Sequence, residues 1–197
     1  IVKPKKPLKN LDYIYADLSS DVCMNKVMDE IRKKYGSRIA SVIHLAAYYN
    51  FKGGQWDLYE KITLGGTKRL VSCVQNFDTE QFIFSSSMFV HAPCSLTQKI
   101  NETWPEFDSW EYPRSKIEVE KFLHKNHGKI PLVIFQIAKC YDDTCHSVML
   151  GHQIQRIWEH QFECHLFPGD IAHGSSFLHI DDLSDALFLA VQSRKRL

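Results

Sequence analysis

Two residues in the run Trp110-Glu-Tyr-Pro-Arg-Ser-Lys-Ile-Glu-Val-Glu120 have the types and the spacing for proton transfer: Tyr112 and Lys116. On a helix, a Tyr-x-x-x-Lys pair sits on one face, one turn apart. A free phenol titrates near pH ~10, and a neighbouring ammonium favours its phenolate. The expected chemistry is therefore general acid–base work at a hydroxyl or carbonyl oxygen, with Lys116 lowering the pKa of Tyr112. The spacing alone is weak evidence, because an exposed tyrosine beside a solvated lysine gives the same pattern.

The segment upstream adds to it. Gln81-Phe-Ile-Phe-Ser-Ser-Ser-Met-Phe-Val90 reads as an apolar strand that ends in three hydroxyls. Open α/β sheets carry their sites at such strand ends. Of the three, Ser85 and Ser86 read as structural or backbone-facing.

At this point the chain resembles the extended short-chain dehydrogenase/reductase family, of the NAD-dependent epimerase/dehydratase type. Ser85-Ser86-Ser87-Met88-Phe89-Val90 fits the family's serine strand, and Tyr112 and Lys116 follow it at the family's distance. Ala16-Asp17-Leu18 is similar to the Gly-Asp-Leu after the third strand. Val42-Ile-His-Leu-Ala-Ala47 is similar to the fourth-strand Val-x-His-x-Ala-Ala. Thr63-Leu-Gly-Gly-Thr67 stands where the family has Asn-Val-x-Gly-Thr, and Phe177-Leu-His-Ile-Asp-Asp-Leu183 resembles its Phe-x-His-Val-Asp-Asp run.

The resemblance implies hydride transfer between a substrate carbon and NAD or NADP, with Ser87, Tyr112 and Lys116 as the proton relay. It places Asp17, Leu18, Leu45, Ala46, Ala47, Thr63, Tyr112 and Lys116 along the cofactor. The implied substrate is a small molecule carrying a hydroxyl or carbonyl carbon, with a nucleotide sugar as the leading class. A homodimer is expected.

The departures from the family are also specific. Thr63 replaces asparagine, and its shorter hydroxyl is expected to need a water to complete its hydrogen bonding. His91 and Ala92 replace Tyr-Gly, and Gln136-Ile137 replaces Arg-Pro. No Gly-x-x-Gly-x-x-Gly turn occurs in the sequence, and Ile1 is not an initiator. The expectation is a partial NAD(P)-binding Rossmann-like domain over 1–197, truncated at both ends, in which residues 144–180 form the root of a substrate-binding region. These departures keep open an alternative, a non-catalytic relative that binds a nucleotide or a protein.

Composition narrows the classes. The 197 residues are 44% hydrophobic and 24% charged, enough for one buried core. With 24 basic and 23 acidic residues there is no broad field to recruit nucleic acid or anionic lipid. No apolar run reaches the ~20 residues of a membrane span. The six cysteines show no Cys-x-x-Cys spacing and read as reduced thiols of a cytoplasmic protein. Cys145, His146, His152, His160, Cys164 and His165 fit no zinc module, so no metal is expected. His44 reads as a satisfied buried histidine.

These groups need elements to hold them, and the chain alternates apolar strand with amphipathic helix. This predicts an α/β, doubly wound parallel sheet with flanking helices. Strands are expected at Leu11–Ala16, Ser41–Leu45, Phe82–Ser85, Leu132–Ile137 and around Cys164–Phe167. Helices are expected at Asp21–Lys34, within Trp56–Asn76, at Tyr112–His124, near His146–His160 and at Asp181–Ser193. An irregular stretch, His91–Trp110, lies between the serine strand and the helix of Tyr112.

Overall fold

The computed structural model describes residues 9–50, 54–95, 97–166 and 174–196. Helix α1 (Asp21–Tyr35) is capped by Ser20, whose hydroxyl accepts the Cys23 N–H at 3.2 Å. It ends at Gly36, whose φ of 86° favours glycine. Strands β1 (Arg38–Ile39) and β2 (Val42–His44) follow.

Next comes a helical stretch in three parts: α2 (Trp56–Leu58), a π-helical turn (Tyr59–Leu64) and α3 (Gly65–Val74). The sequence predicts one long helix here, and the π-turn is the difference. It inserts at Thr63, where a side chain engages backbone outside the helix. Strands β3 (Asp78–Thr79) and β4 (Phe82–Ser87) lead into a 3-10 turn at Met88–Val90 and the irregular stretch. Then follow α4 (Glu111–Asn126), β5 (Leu132–Ile137), β6 (Lys139–Tyr141), α5 (Val148–Trp158), β7 (Phe177–His179) and α6 (Ile180–Gln192).

Every strand pair among the described residues is parallel. β4 is central between β2 and β5, with His44 opposite Phe84 and Ser87 opposite Ile137. β1 pairs with β3, and the same register continues from Ile39–Thr79 to Val42–Phe82. β6 resumes one residue after β5 and pairs with β7. Parallel neighbours need crossovers, and helices supply them.

The core lies where α3 and α4 pack on β4: Val71, Val74, Phe82, Phe84, Val119, Leu123 and Ile130 are buried together. α3 also meets the segment before α1. A Cβ on Gly66 would lie 2.9 Å from the Leu18 Cβ, so only glycine admits this approach. That contact fixes Asp17 and Leu18 against the helix that carries Thr67.

Two expected strands are absent. Leu11–Ala16 has no ladder partner among the described residues, and an unpaired segment is not held as a strand. Phe162–His165 is a 3-10 turn with exposed Phe162 and Leu166, too short to pair, and Phe167 lies outside the described residues. No helix among the described residues is long and apolar enough to cross a membrane. The six cysteines are free thiols.

Candidate active site

β4 delivers its three serines to different partners because alternate residues face opposite sides. The Ser85 hydroxyl donates to the His44 carbonyl at 3.1 Å, tying β4 to β2. The Ser86 hydroxyl donates to the Glu120 carboxylate on α4. Both are structural, as the sequence suggests. Ser87 closes the strand, is 5% exposed, and accepts the Phe89 N–H at 3.2 Å, which caps the turn.

α4 begins at Glu111, so Tyr112 and Pro113 lie in the first turn, where a missing N–H is tolerated. The Tyr112 phenol is half-buried, and burial raises its pKa above the usual phenol value. The nearby Ser87 hydroxyl works against that rise. The structure therefore brings Ser87 and Tyr112 together at the C-terminal end of the central strand.

Lys116 is 3% exposed and lies one turn further along α4. Its ammonium donates to the Ser85 carbonyl oxygen at 2.6 Å and sits 4.7 Å from the Phe84 ring centre and 5.8 Å from that of Tyr112. Burial pulls its pKa down to about 8, while the Glu120 carboxylate opposes the fall. The expected lowering of the Tyr112 pKa by this ammonium is not found. The lysine hydrogen-bonds backbone on β4, and burial dominates at the phenol. The Tyr112 phenol is thus protonated near neutral pH.

The other sequence-derived residues surround this group. Thr63 is fully buried, and its hydroxyl accepts the Tyr48 N–H directly at 2.9 Å. Thr67 donates to the Thr63 carbonyl at 2.6 Å and faces the His44 Nε2 at 2.8 Å. His44 is 3% exposed, and burial followed by the nearby Lys116 charge lowers its pKa to about 4. It is a neutral, satisfied core histidine.

After His44, β2 gives way to Leu45, Ala46 and Ala47, of which Leu45 and Ala46 are exposed and Ala47 is half-buried. Asp17 accepts the Ser19 N–H at 2.8 Å, which lowers its pKa and keeps it ionised, and Leu18 packs on Gly66. Asp17 and Leu18 stand at the head of α1, apart from the Ser87–Tyr112 pair.

Sequence reasoning missed two features. Tyr49 stacks edge-on against Tyr112 at 4.7 Å, and Trp110 lies 5.4 Å from it. The aromatic pair directly after Ala46-Ala47 was the available signal for Tyr49. The second feature is a chain of polar groups behind the site. The His91 Nε2 lies 2.8 Å from the Gln136 Oε1, the Gln136 Nε2 donates to Glu120 at 3.1 Å, and Glu120 accepts from Ser86. His91 and Gln136 were visible only as separate departures.

Among the described residues no His/Cys/Asp/Glu group is arranged to hold a metal. His146 instead contacts Asp142, with Nδ1 to Oδ2 at 2.7 Å.

The family model described as the NAD dependent epimerase/dehydratase family matches residues 3–197. No curated protein matches the chain in sequence. Among solved structures, Bordetella bronchiseptica WbmG in complex with NAD and UDP superposes with a TM-score of 0.76 at 17% identity, covering 94% of this chain and 55% of that one. B. bronchiseptica WbmH in complex with NAD+ gives 0.73 at 18% identity, covering 95% and 58%. The Thermus thermophilus UDP-glucose 4-epimerase complex with NAD gives 0.72 at 20% identity, covering 96% and 63%. At these identities the likeness establishes the fold. The chain spans just over half to under two thirds of the length of these relatives.

Proposed function

The chain belongs to the NAD-dependent epimerase/dehydratase family, and from that premise we propose that the protein it represents moves a hydride at a hydroxyl or carbonyl carbon, with Ser87, Tyr112 and Lys116 as its proton relay. The observation that carries this reading is the convergence of Ser87, at the C-terminal end of β4, and Tyr112, in the first turn of α4, with the buried Lys116 ammonium 5.8 Å from the Tyr112 ring centre.

In this arrangement Tyr112 gives a proton to the substrate oxygen as a carbonyl is reduced and takes it back in the reverse direction. Ser87 hydrogen-bonds the same oxygen and fixes its position. Lys116, mostly protonated at neutral pH with its pKa at about 8, supplies the positive charge that a developing phenolate needs.

The residues present fit one side of a dinucleotide. Leu45 and Ala46 are exposed and Ala47 is half-buried beyond the β2 end, and Asp17 is ionised at the head of α1. Thr63 holds the loop after Ala47 through the Tyr48 N–H. Bound NAD or NADP would supply the hydride chemistry. We assign a nucleotide sugar as the substrate class, supported by relatives solved with UDP or named for UDP-glucose. A homodimer in the cytoplasm completes the reading, consistent with the free thiols.

A second reading, a binding-only relative, is favoured by the engagement of Lys116 with the Ser85 carbonyl and by the raised phenol pKa. Incubating the protein with NADH or NADPH and 4-keto nucleotide sugars separates the two. Nicotinamide oxidation that disappears in Tyr112→Phe supports the relay; the same rate in both proteins removes it.

A further inference from the structure

The half-buried Tyr112 borders a run of aromatic rings that the relay does not use. Tyr49 meets it edge-on at 4.7 Å and 76°. Trp110 lies 5.4 Å from it and 6.3 Å from Tyr49, and Phe89 reaches Trp110 at 6.4 Å. Phe89 and Tyr49 are 39% and 41% exposed.

At the far end of this run is a cation. The Lys139 Nζ lies 5.8 Å from the Phe89 ring centre and 5.7 Å from that of Phe177, and it donates to the Ser175 hydroxyl at 2.9 Å. These partners are all neutral, and among the described residues no carboxylate lies within ion-pair distance. Lys139 belongs to the same edge of the sheet as the relay, since β5 ends at Ile137 opposite Ser87 and β6 begins at Lys139.

Partly exposed aromatic rings, with a phenol at one end and, at the other, a lysine whose partners among the described residues are neutral, suit a particular shape of ligand. Aromatic faces take a ring with an apolar face, and a lysine takes a phosphate as a point charge. We propose that Tyr49, Phe89 and Trp110 form the substrate-side wall of the Tyr112 site, stacking on the ring of a sugar phosphate while Lys139 holds its phosphate. This assignment rests on the reading of Tyr112 as the reacting phenol and adds the residues that select its substrate.

Calorimetric titration of the protein with UDP-glucose, glucose 1-phosphate, glucose and inorganic pyrophosphate tests it. The two sugar phosphates should bind at least about tenfold more tightly than glucose or pyrophosphate, because only they carry ring and anion together. Trp110→Ala and Lys139→Ala should each weaken UDP-glucose by about tenfold or more, Trp110→Phe by less than about threefold, and none should alter NAD affinity. Tyr112→Phe should keep the UDP-glucose affinity while losing turnover, so the wall and the relay fail separately. Three outcomes overturn the proposal: no binding of either sugar phosphate, an unchanged affinity in Trp110→Ala and Lys139→Ala, or a lowered melting temperature in Trp110→Ala without a change in affinity. The last would make the rings a packing surface.

Discussion

The Lys116 ammonium donates to the Ser85 carbonyl oxygen at 2.6 Å, which joins the helix of the reacting phenol to the strand of its serine partner. The bond crosses from α4 to β4 one strand position away from Ser86, which itself reaches back to Glu120 on α4. Helix and strand are thus pinned at two points directly behind Ser87 and Tyr112. The same geometry places a charge in a site that is 3% exposed, so its position is obtained at a cost in stability.

That cost is measurable. A lysine whose pKa falls to about 8 in the folded protein from ~10.4 unfolded weakens folding by about 3 kcal/mol at pH values below 8, and the penalty fades as pH rises towards 10.4. Lys116→Met should therefore be more stable than the wild type at pH 7, by about 1–3 kcal/mol after loss of the Ser85 hydrogen bond. The gain should shrink between pH 8 and 10. Urea melts across that range decide it, and a variant less stable than wild type at pH 7 would show that the ammonium is net stabilising.

Turnover should behave in the opposite way. Removing the proton donor in Tyr112→Phe should lower the rate by about 10²–10⁴-fold, the usual reach of general acid–base catalysis. The ring remains to pack against Tyr49 and Trp110, so cofactor affinity should stay within about twofold. Lys116→Met should reduce both. A Tyr112→Phe protein with wild-type turnover would eliminate the relay.

His44 carries the acid-side dependence. Its pKa of about 4 lies below the unfolded ~6.5, so the folded protein resists its protonation and loses stability as pH falls from 6.5 towards 4. The full penalty is about 3 kcal/mol. His44→Gln keeps a hydrogen-bonding partner for Thr67 and does not titrate, so its stability should fall less steeply over that interval. Identical acid limbs in the two proteins would place the titrating groups elsewhere.

Much of this site was legible because its signals are local. The serine strand, the Tyr-x-x-x-Lys spacing and the small residues after His44 each lie on one element, where period and position determine direction. The π-turn was hidden, as was the contact it carries: the Thr63 hydroxyl accepts the Tyr48 N–H, joining residues fifteen apart through a loop. Lys116 was placed on the correct helix face, but its actual acceptor, a backbone carbonyl, leaves no mark in the sequence. The expected strand at Leu11–Ala16 was apolar enough, but pairing depends on a neighbour rather than on propensity. His91 and Gln136 are 45 residues apart, and only the β4–β5 register brings them into contact.

That contact yields the last prediction. Gln136 occupies the position of the arginine in the resembled family, and its amide spans two groups: the His91 Nε2 at 2.8 Å and the Glu120 carboxylate at 3.1 Å. Gln136→Leu leaves both without this partner in a region where His91 is 7% exposed, which should cost about 2–3 kcal/mol. His91→Phe alone frees one end of the amide and should cost less. If the two side chains act as a unit, the double variant should be more stable than the sum of the single losses implies, by about 1 kcal/mol or more. Chemical denaturation of the four proteins gives this coupling. A value within about 0.3 kcal/mol of zero would mean that His91 and Gln136 are merely adjacent.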